Sequence, residues 1–316
     1  MTDMPDYATL IDPETWAFIR DSERWYPPET ASYSITDQRR VYDQMCRAFH
    51  RPYPAGMTVH EQRINAVPCR IYTTVQAPAA TVLYFHGGGF VVGGLESHDS
   101  ICADLAAETG LRLVSADYRL APEHRHPAHF DDAWAATLGV AALWSGPLLL
   151  AGDSAGGALA AAVTHRARQG GPRIAGQVLI YPDVGGPLDR GSALTHAHAP
   201  LLTRDDVLFY RDTRYAQGGE PACDPTATPL RDSAFSGLPP TVIFAAQCDP
   251  LADDGPAYAA RVTAAGGRVF CRTEAGLPHG YLRARHSVTR ARDSFAGITE
   301  AVASLAHGKW PAWALA

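Results

Sequence analysis

The sequence predicts an α/β fold: a mostly parallel sheet with helices on both faces. Three observations carry that reading. From about residue 68, short β-rich runs alternate with longer helical patterns. Several of the short runs are almost wholly apolar, as strands covered on both faces must be. Two of the helical patterns stop at glycine, Gly110 and Gly266, where a left-handed residue often ends a helix.

Taken in order, residues 1–60 hold helical patterns and no good strand. The strands then read as "CRIYTTV", "TVLYFH", "LRLVSADY", "PLLLAG", "GQVLIYP", "PTVIFAAQ" and "RVFCRTE". Between them lie expected helices near 98–109, 128–143, 155–169, 254–265 and 287–306. Residues 183–218 interrupt the alternation with a further helix, "TRDDVLFYRDTRYAQ". Ligands of open α/β sheets bind beyond the carboxyl ends of the strands, so an insertion after a strand lands over that mouth. Residues 1–60 and 183–218 are therefore expected to form one helical cap, over a core made of 61–182 and 219–316.

The bulk composition narrows the function. With 316 residues, 46% hydrophobic and 19% charged, the chain has ample apolar material for a core. A formal net charge of -6 gives no broad basic surface for phosphates, so nucleic acid is a poor partner and a small molecule a better one. The six cysteines form no C-x-x-C pair and no cluster with histidine, which points to reduced thiols and no metal site. The acidic start "MTDMPDYATLIDPET" does not resemble a secretory signal, and no apolar run approaches a membrane span, so a cytoplasmic location is expected.

Two glycine-rich stretches carry the chemistry. In "LLLAGDSAGGALAAAV", Ser154 stands at a strand-to-helix junction between Gly152 and Gly156. Small neighbours let such a turn close with the hydroxyl projecting outward, and the following helix points its N-terminal dipole at the same place. A capping serine would account for the residue alone. The second stretch, "HGGGF", follows the strand "TVLYF" and so lies at the same sheet edge. A transition state with charge on a carbonyl oxygen needs N–H donors that approach closely, which the bare backbone of Gly88 and Gly89 and the N–H of Ala155 would supply. A phosphate-binding turn is the alternative, but neither a G-x-G-x-x-G pattern with a downstream acid nor a Walker lysine is present. His86 is read as structural, holding the loop.

A serine hydroxyl attacks only when a histidine takes its proton and a carboxylate orients that histidine. In α/β-hydrolases these follow in the order serine, acid, histidine. His279, in the Gly- and Pro-punctuated "TEAGLPHGYLRAR" after a late strand, fits the base better than His196, His198, His286 or His307. Asp249, in "PTVIFAAQCDPLADD", directly follows the preceding strand and fits the acid; Asp253 and Asp254 suit the start of the next helix.

With these motifs the chain resembles the hormone-sensitive-lipase-like branch of the α/β-hydrolases, which includes many bacterial carboxylesterases and acetyl esterases. The resemblance spans about residues 60–306 and rests on "HGGGF", "DYRLAPEHRHPA", "GDSAGG", "CDPL" and "HGY" in that order. It implies an α/β-hydrolase fold of about eight strands, an N-terminal helical cap, no cofactor, and short- to medium-chain esters as substrates. It makes Asp117, Tyr118, Arg119 and Glu123 scaffold rather than catalytic groups. The chain departs from the family at Ala252, where arginine is frequent, and at Tyr281, where phenylalanine is commoner.

The expected reaction is two-step ester hydrolysis through an acyl-enzyme on Ser154. Because the histidine must be neutral to accept a proton, activity is expected to fall on acidification through the ordinary imidazole range, about 6.5. Amide cleavage by the same groups and a catalytically silent ligand receptor on this fold are the rivals. Trp25, Tyr26, Phe90, Leu201, Phe209 and Leu282 are candidate pocket walls, though each also suits ordinary packing. Oligomeric state, monomer or homodimer, is left open.

Overall fold

The computed structural model describes residues 5–76, 78–215 and 219–314. Eight strands form one sheet in the order β1-β2-β4-β3-β5-β6-β7-β8. They are β1 (Thr58–Ile64), β2 (Val67–Thr73), β3 (Thr81–Phe85), β4 (Arg112–Ala116), β5 (Leu148–Asp153), β6 (Ile174–Ile180), β7 (Thr241–Cys248) and β8 (Val269–Pro278). β1 pairs antiparallel with β2, and β2 antiparallel with β4. All remaining pairs are parallel.

Among the described residues, ten α-helices accompany the sheet. They are α1 (Tyr7–Leu10), α2 (Pro13–Trp25), α3 (Ile35–Ala48), α4 (Asp99–Thr109), α5 (Ala128–Leu143), α6 (Ala155–Ala167), α7 (Ser192–Thr195), α8 (Arg204–Arg214), α9 (Asp254–Ala264) and α10 (Thr289–Ala306). α4 ends on Gly110 at φ +66°, whose N–H bonds the Ala106 carbonyl, so the stop signal read from the sequence has its physical counterpart. α8 opens with a capping box: Thr203 and Asp206 each bond the other's backbone N–H.

Side chains of successive strand residues point to opposite faces, and here they enter two different cores. Val82 and Tyr84 of β3, Leu149 and Ala151 of β5, and Val242 and Phe244 of β7 pack with α4 and α10. Leu83, Phe85, Leu150 and Ile243 pack instead with Leu159 and Val163 of α6 and with Tyr258 and Val262 of α9. This doubly covered arrangement explains why the central strands read as unbroken apolar runs.

All seven strands read from the sequence are present, and β1 brings the number to the eight that the resemblance implied, at a place the strand reading did not mark. It lies at the sheet edge and begins at Thr58, inside the stretch read as strand-free. Its residues, TVHEQRI, are mostly exposed, so it lacks the apolar signature of its buried neighbours. Residues 216–218 of the expected insertion, residues 1–4 of the N-terminal segment and the last two of the tail lie outside the described residues. Among those described, no helix is long and apolar enough to cross a membrane.

Candidate active site

Ser154 follows the last residue of β5 and precedes the first of α6. Its backbone is held at φ +53° and ψ -120°, a costly conformation for a residue with a side chain. Close packing enforces it. A Cβ on Gly152 would overlap the Gly156 carbonyl, and one on Gly156 would overlap the Phe85 carbonyl. The Ser154 N–H bonds the Ile180 carbonyl at 2.9 Å, which ties the turn to β6.

The three side chains singled out by sequence meet here. His279 follows β8 directly, and its Nε2 lies 2.9 Å from Ser154 Oγ. Its Nδ1 lies 2.6 Å from Asp249 Oδ2. Asp249 follows β7 and is fully buried, and its other oxygen accepts the Leu251 N–H at 2.8 Å. The rivals are engaged elsewhere. Asp253 accepts the Ser192 N–H, Asp254 accepts those of Val184 and Gly186, His196 bonds the Tyr7 hydroxyl, and His286 bonds Asp104.

Gly88, Gly89 and Ala155 line the same cavity as the serine. None of their three N–H groups has a protein partner among the described residues. Gly88 sits at φ +121° and Gly89 at φ +60°. A Cβ on Gly88 would overlap the Val92 carbonyl, and one on Gly89 would overlap the Tyr210 ring. Here glycine is required by both conformation and space.

His86 takes no part in this cluster. It is buried, its Nδ1 lies 2.8 Å from the Gly87 carbonyl, and its ring stacks on Tyr118 at 4.2 Å. Burial pushes its imidazole down to about 3, so it stays neutral. Tyr118 in turn donates to the His86 carbonyl at 2.6 Å. Arg119 grips Asp132 with two nitrogens, and Glu123 is gripped by Arg39 of α3.

The match to known proteins follows this geometry. A family model described as alpha/beta hydrolase fold matches residues 82–283. The chain belongs to the α/β-hydrolase family. It is 42% identical over 216 residues to Esterase LipI of Mycobacterium tuberculosis, covering 66% of this chain and 67% of that protein. To Carboxylesterase NlhH of the same species it is 39% identical over 237 residues, covering 71% and 74%. A crystal structure of an esterase from the bacterial hormone-sensitive lipase family superposes with a TM-score of 0.85 at 28% identity, covering 93% of this chain and 99% of that one.

The cavity in this α/β-hydrolase has a volume of about 340 Å³, within the range of small-molecule sites. Of the candidate wall residues, Tyr26, Leu201 and Phe209 line it. Phe90 and Leu282 are buried in the cores instead, and Trp25 is largely exposed. Both unusual segments contribute to the walls: α2 and α3 through Ser22, Gln38, Tyr42 and Met45, and α8 through Val207 and Tyr210.

Sequence reading missed Asp153, which binds the two glycine motifs together. Its buried carboxylate accepts from the Tyr84 hydroxyl at 2.8 Å and the Gly87 N–H at 3.0 Å, and lies 3.2 Å from His98 Nε2. Burial would push this carboxyl up, but the charge and hydrogen bond of His98 and the bond from Tyr84 bring it down to about 2. Its place beside the serine was the only signal. Arg283 and Asp183, also in the cavity wall, gave none.

Proposed function

We propose that the chain, a carboxylic ester hydrolase of the α/β-hydrolase family, works in two steps through an acyl-enzyme on Ser154. The hydrogen-bonded line from Ser154 Oγ through His279 to Asp249, at 2.9 and 2.6 Å, is the observation that carries the reading.

His279 Nε2 takes the hydroxyl proton as Ser154 Oγ attacks the ester carbonyl. Asp249 holds the imidazole in the tautomer that leaves Nε2 free and stabilises the imidazolium that forms. The oxyanion is received by the N–H groups of Gly88, Gly89 and Ala155, at the start of the α6 dipole. His279 then returns the proton to the departing alcohol, and water repeats the cycle on the acyl-enzyme. No metal or cofactor is needed for any of these steps.

The substrates are short- to medium-chain esters, a reading supported by the cavity volume of about 340 Å³. Residues 1–60 and 183–218 act as one cap that shapes this cavity, as the wall residues from α2, α3 and α8 suggest. A cytoplasmic location is supported by the six cysteines, all free thiols.

The test is hydrolysis of p-nitrophenyl acetate and butyrate by the wild type and by Ser154→Ala. Turnover by the wild type that vanishes in a folded Ser154→Ala protein is expected. Equal turnover by both would remove Ser154 from the mechanism.

A further inference from the structure

Arg283 is the only arginine or lysine among the described residues that line the cavity, and the reaction does not use it. It lies four residues after His279, in the short 3-10 turn Tyr281–Ala284. Its Nε is buried with no hydrogen-bond partner among the described residues, and no carboxylate among them pairs with its guanidinium. The residue as a whole is only half-buried, and its guanidinium has no acceptor among the described residues, so an acceptor supplied from outside would be bound well.

The acidic side chains around the cavity do not fill that role. Asp183 pairs with Arg211 at 2.7 Å. Asp206 is occupied by the N–H and hydroxyl of Thr203, and Asp153 by Tyr84, Gly87 and His98. Glu23 stands at the exposed rim.

The position of the guanidinium indicates which part of an ester it meets. It folds back against Gly280, where an added Cβ would stand 2.7 Å from Arg283 Nη2. Gly280 is next in the chain to His279, and His279 hands its proton to the departing alcohol. That nearness to the base, which serves the leaving group, is the ground for placing the alcohol part of the ester on the Arg283 side. Arg283 also borders a second cleft, where Arg20, Arg24 and Arg51 outnumber Glu14 and Asp21 and favour the approach of an anion.

From this arrangement, and resting on the esterase reading above, we propose that Arg283 is a specificity residue that grips a carboxylate on the alcohol part of the substrate. The preferred esters are then acylated hydroxy acids rather than esters of plain alcohols. The guanidinium binds the carboxylate with two parallel N–H···O bonds, and the scissile ester stands over Ser154.

The probes are 3-acetoxybenzoate and its neutral counterpart 3-acetoxybenzamide, compared by the ratio of their kcat/KM values. A ratio of about ten or more is expected in the wild type, falling toward unity in Arg283→Gln and standing between the two in Arg283→Lys, which keeps the charge but not the fork. The ratio is internal to each protein, so a general loss of activity does not imitate the effect. Binding of 3-hydroxybenzoate to Ser154→Ala, with and without Arg283→Gln, reads the same contact without turnover and should weaken about tenfold with the second substitution. A wild-type ratio near or below unity, or a ratio and an affinity unmoved in Arg283→Gln, overturns the assignment. Hydrolysis of the neutral ester without any preference sinks this inference alone. Failure to hydrolyse any ester, p-nitrophenyl acetate included, sinks the esterase reading and the assignment with it.

Discussion

Gly156 packs against the carbonyl of Phe85 so closely that no side-chain carbon fits between them. The first turn of α6 thus rests directly on the end of β3, and the Ser154 turn is fixed by two backbones in contact. Gly156→Ala should cost about 3 kcal/mol or more of stability, or push the serine turn out of place. Urea unfolding together with turnover of p-nitrophenyl butyrate reads both outcomes. A variant with wild-type stability and wild-type kcat would show that the turn is far softer than its packing implies.

Asp249 and Asp253 lie four residues apart, but only the first reaches His279. Asp249→Asn should keep the fold and lower kcat by about ten-thousand-fold, since an amide stabilises the wrong tautomer. Asp253→Asn exchanges the charged acceptor of the Ser192 N–H for a neutral one and should leave kcat within about threefold while costing about 1 kcal/mol. A reversed order of the two kcat values would move the acid to Asp253.

Arg39 couples α3 to the loops beside the glycine run. It donates to the Val91 and Ala121 carbonyls at 2.8 Å each, as well as to Glu123. Because Glu123 is half exposed, Glu123→Gln should cost less than about 1 kcal/mol. Arg39→Ala leaves two carbonyls without their donor and should cost about 2 kcal/mol and raise KM. Equal losses in the two variants would mean that the ion pair alone matters.

Asp254 gives the fold a pH dependence of its own. Burial first, and then the charge of Asp183, push its carboxyl up to about 7 from an ordinary 3.8. A carboxyl that holds its proton more tightly when folded adds stability below 3.8, and that contribution is lost as the pH rises through 7. Asp254→Asn cannot titrate. The stability of the wild type minus that of the variant, from urea unfolding, should therefore decline from pH 4 to 8 and then level off. A difference constant across that window would mean that Asp254 is ionised throughout.

The parts of this molecule legible in sequence are those where one residue type answers to one physical demand. Apolar runs marked the central strands because both faces of the sheet are covered there, and Gly88, Gly89, Gly152 and Gly156 marked the turns because nothing larger fits. Ser154, Asp249 and His279 could be read because each directly follows a recognisable strand. β1 escaped because an edge strand open to water has no need of an apolar pattern. The partners of Asp153 escaped for a different reason: Tyr84 and His98 come from separate elements, and only the folded chain brings them to one carboxylate. Wall residues such as Leu201 and Phe209 could not be told from Phe90 and Leu282 because all six candidates have the same apolar character, whether they face a cavity or a core.

The side chains proposed to react are mounted at the ends of β5, β7 and β8, while much of the cavity wall comes from α2, α3 and α8, which are not part of the sheet. Apart from Arg283, which sits beside His279, the wall is therefore carried by pieces of the polypeptide separable from the sheet. Exchanging the helices would change which molecules gain entry, and the proposed proton relay beneath them would run as before.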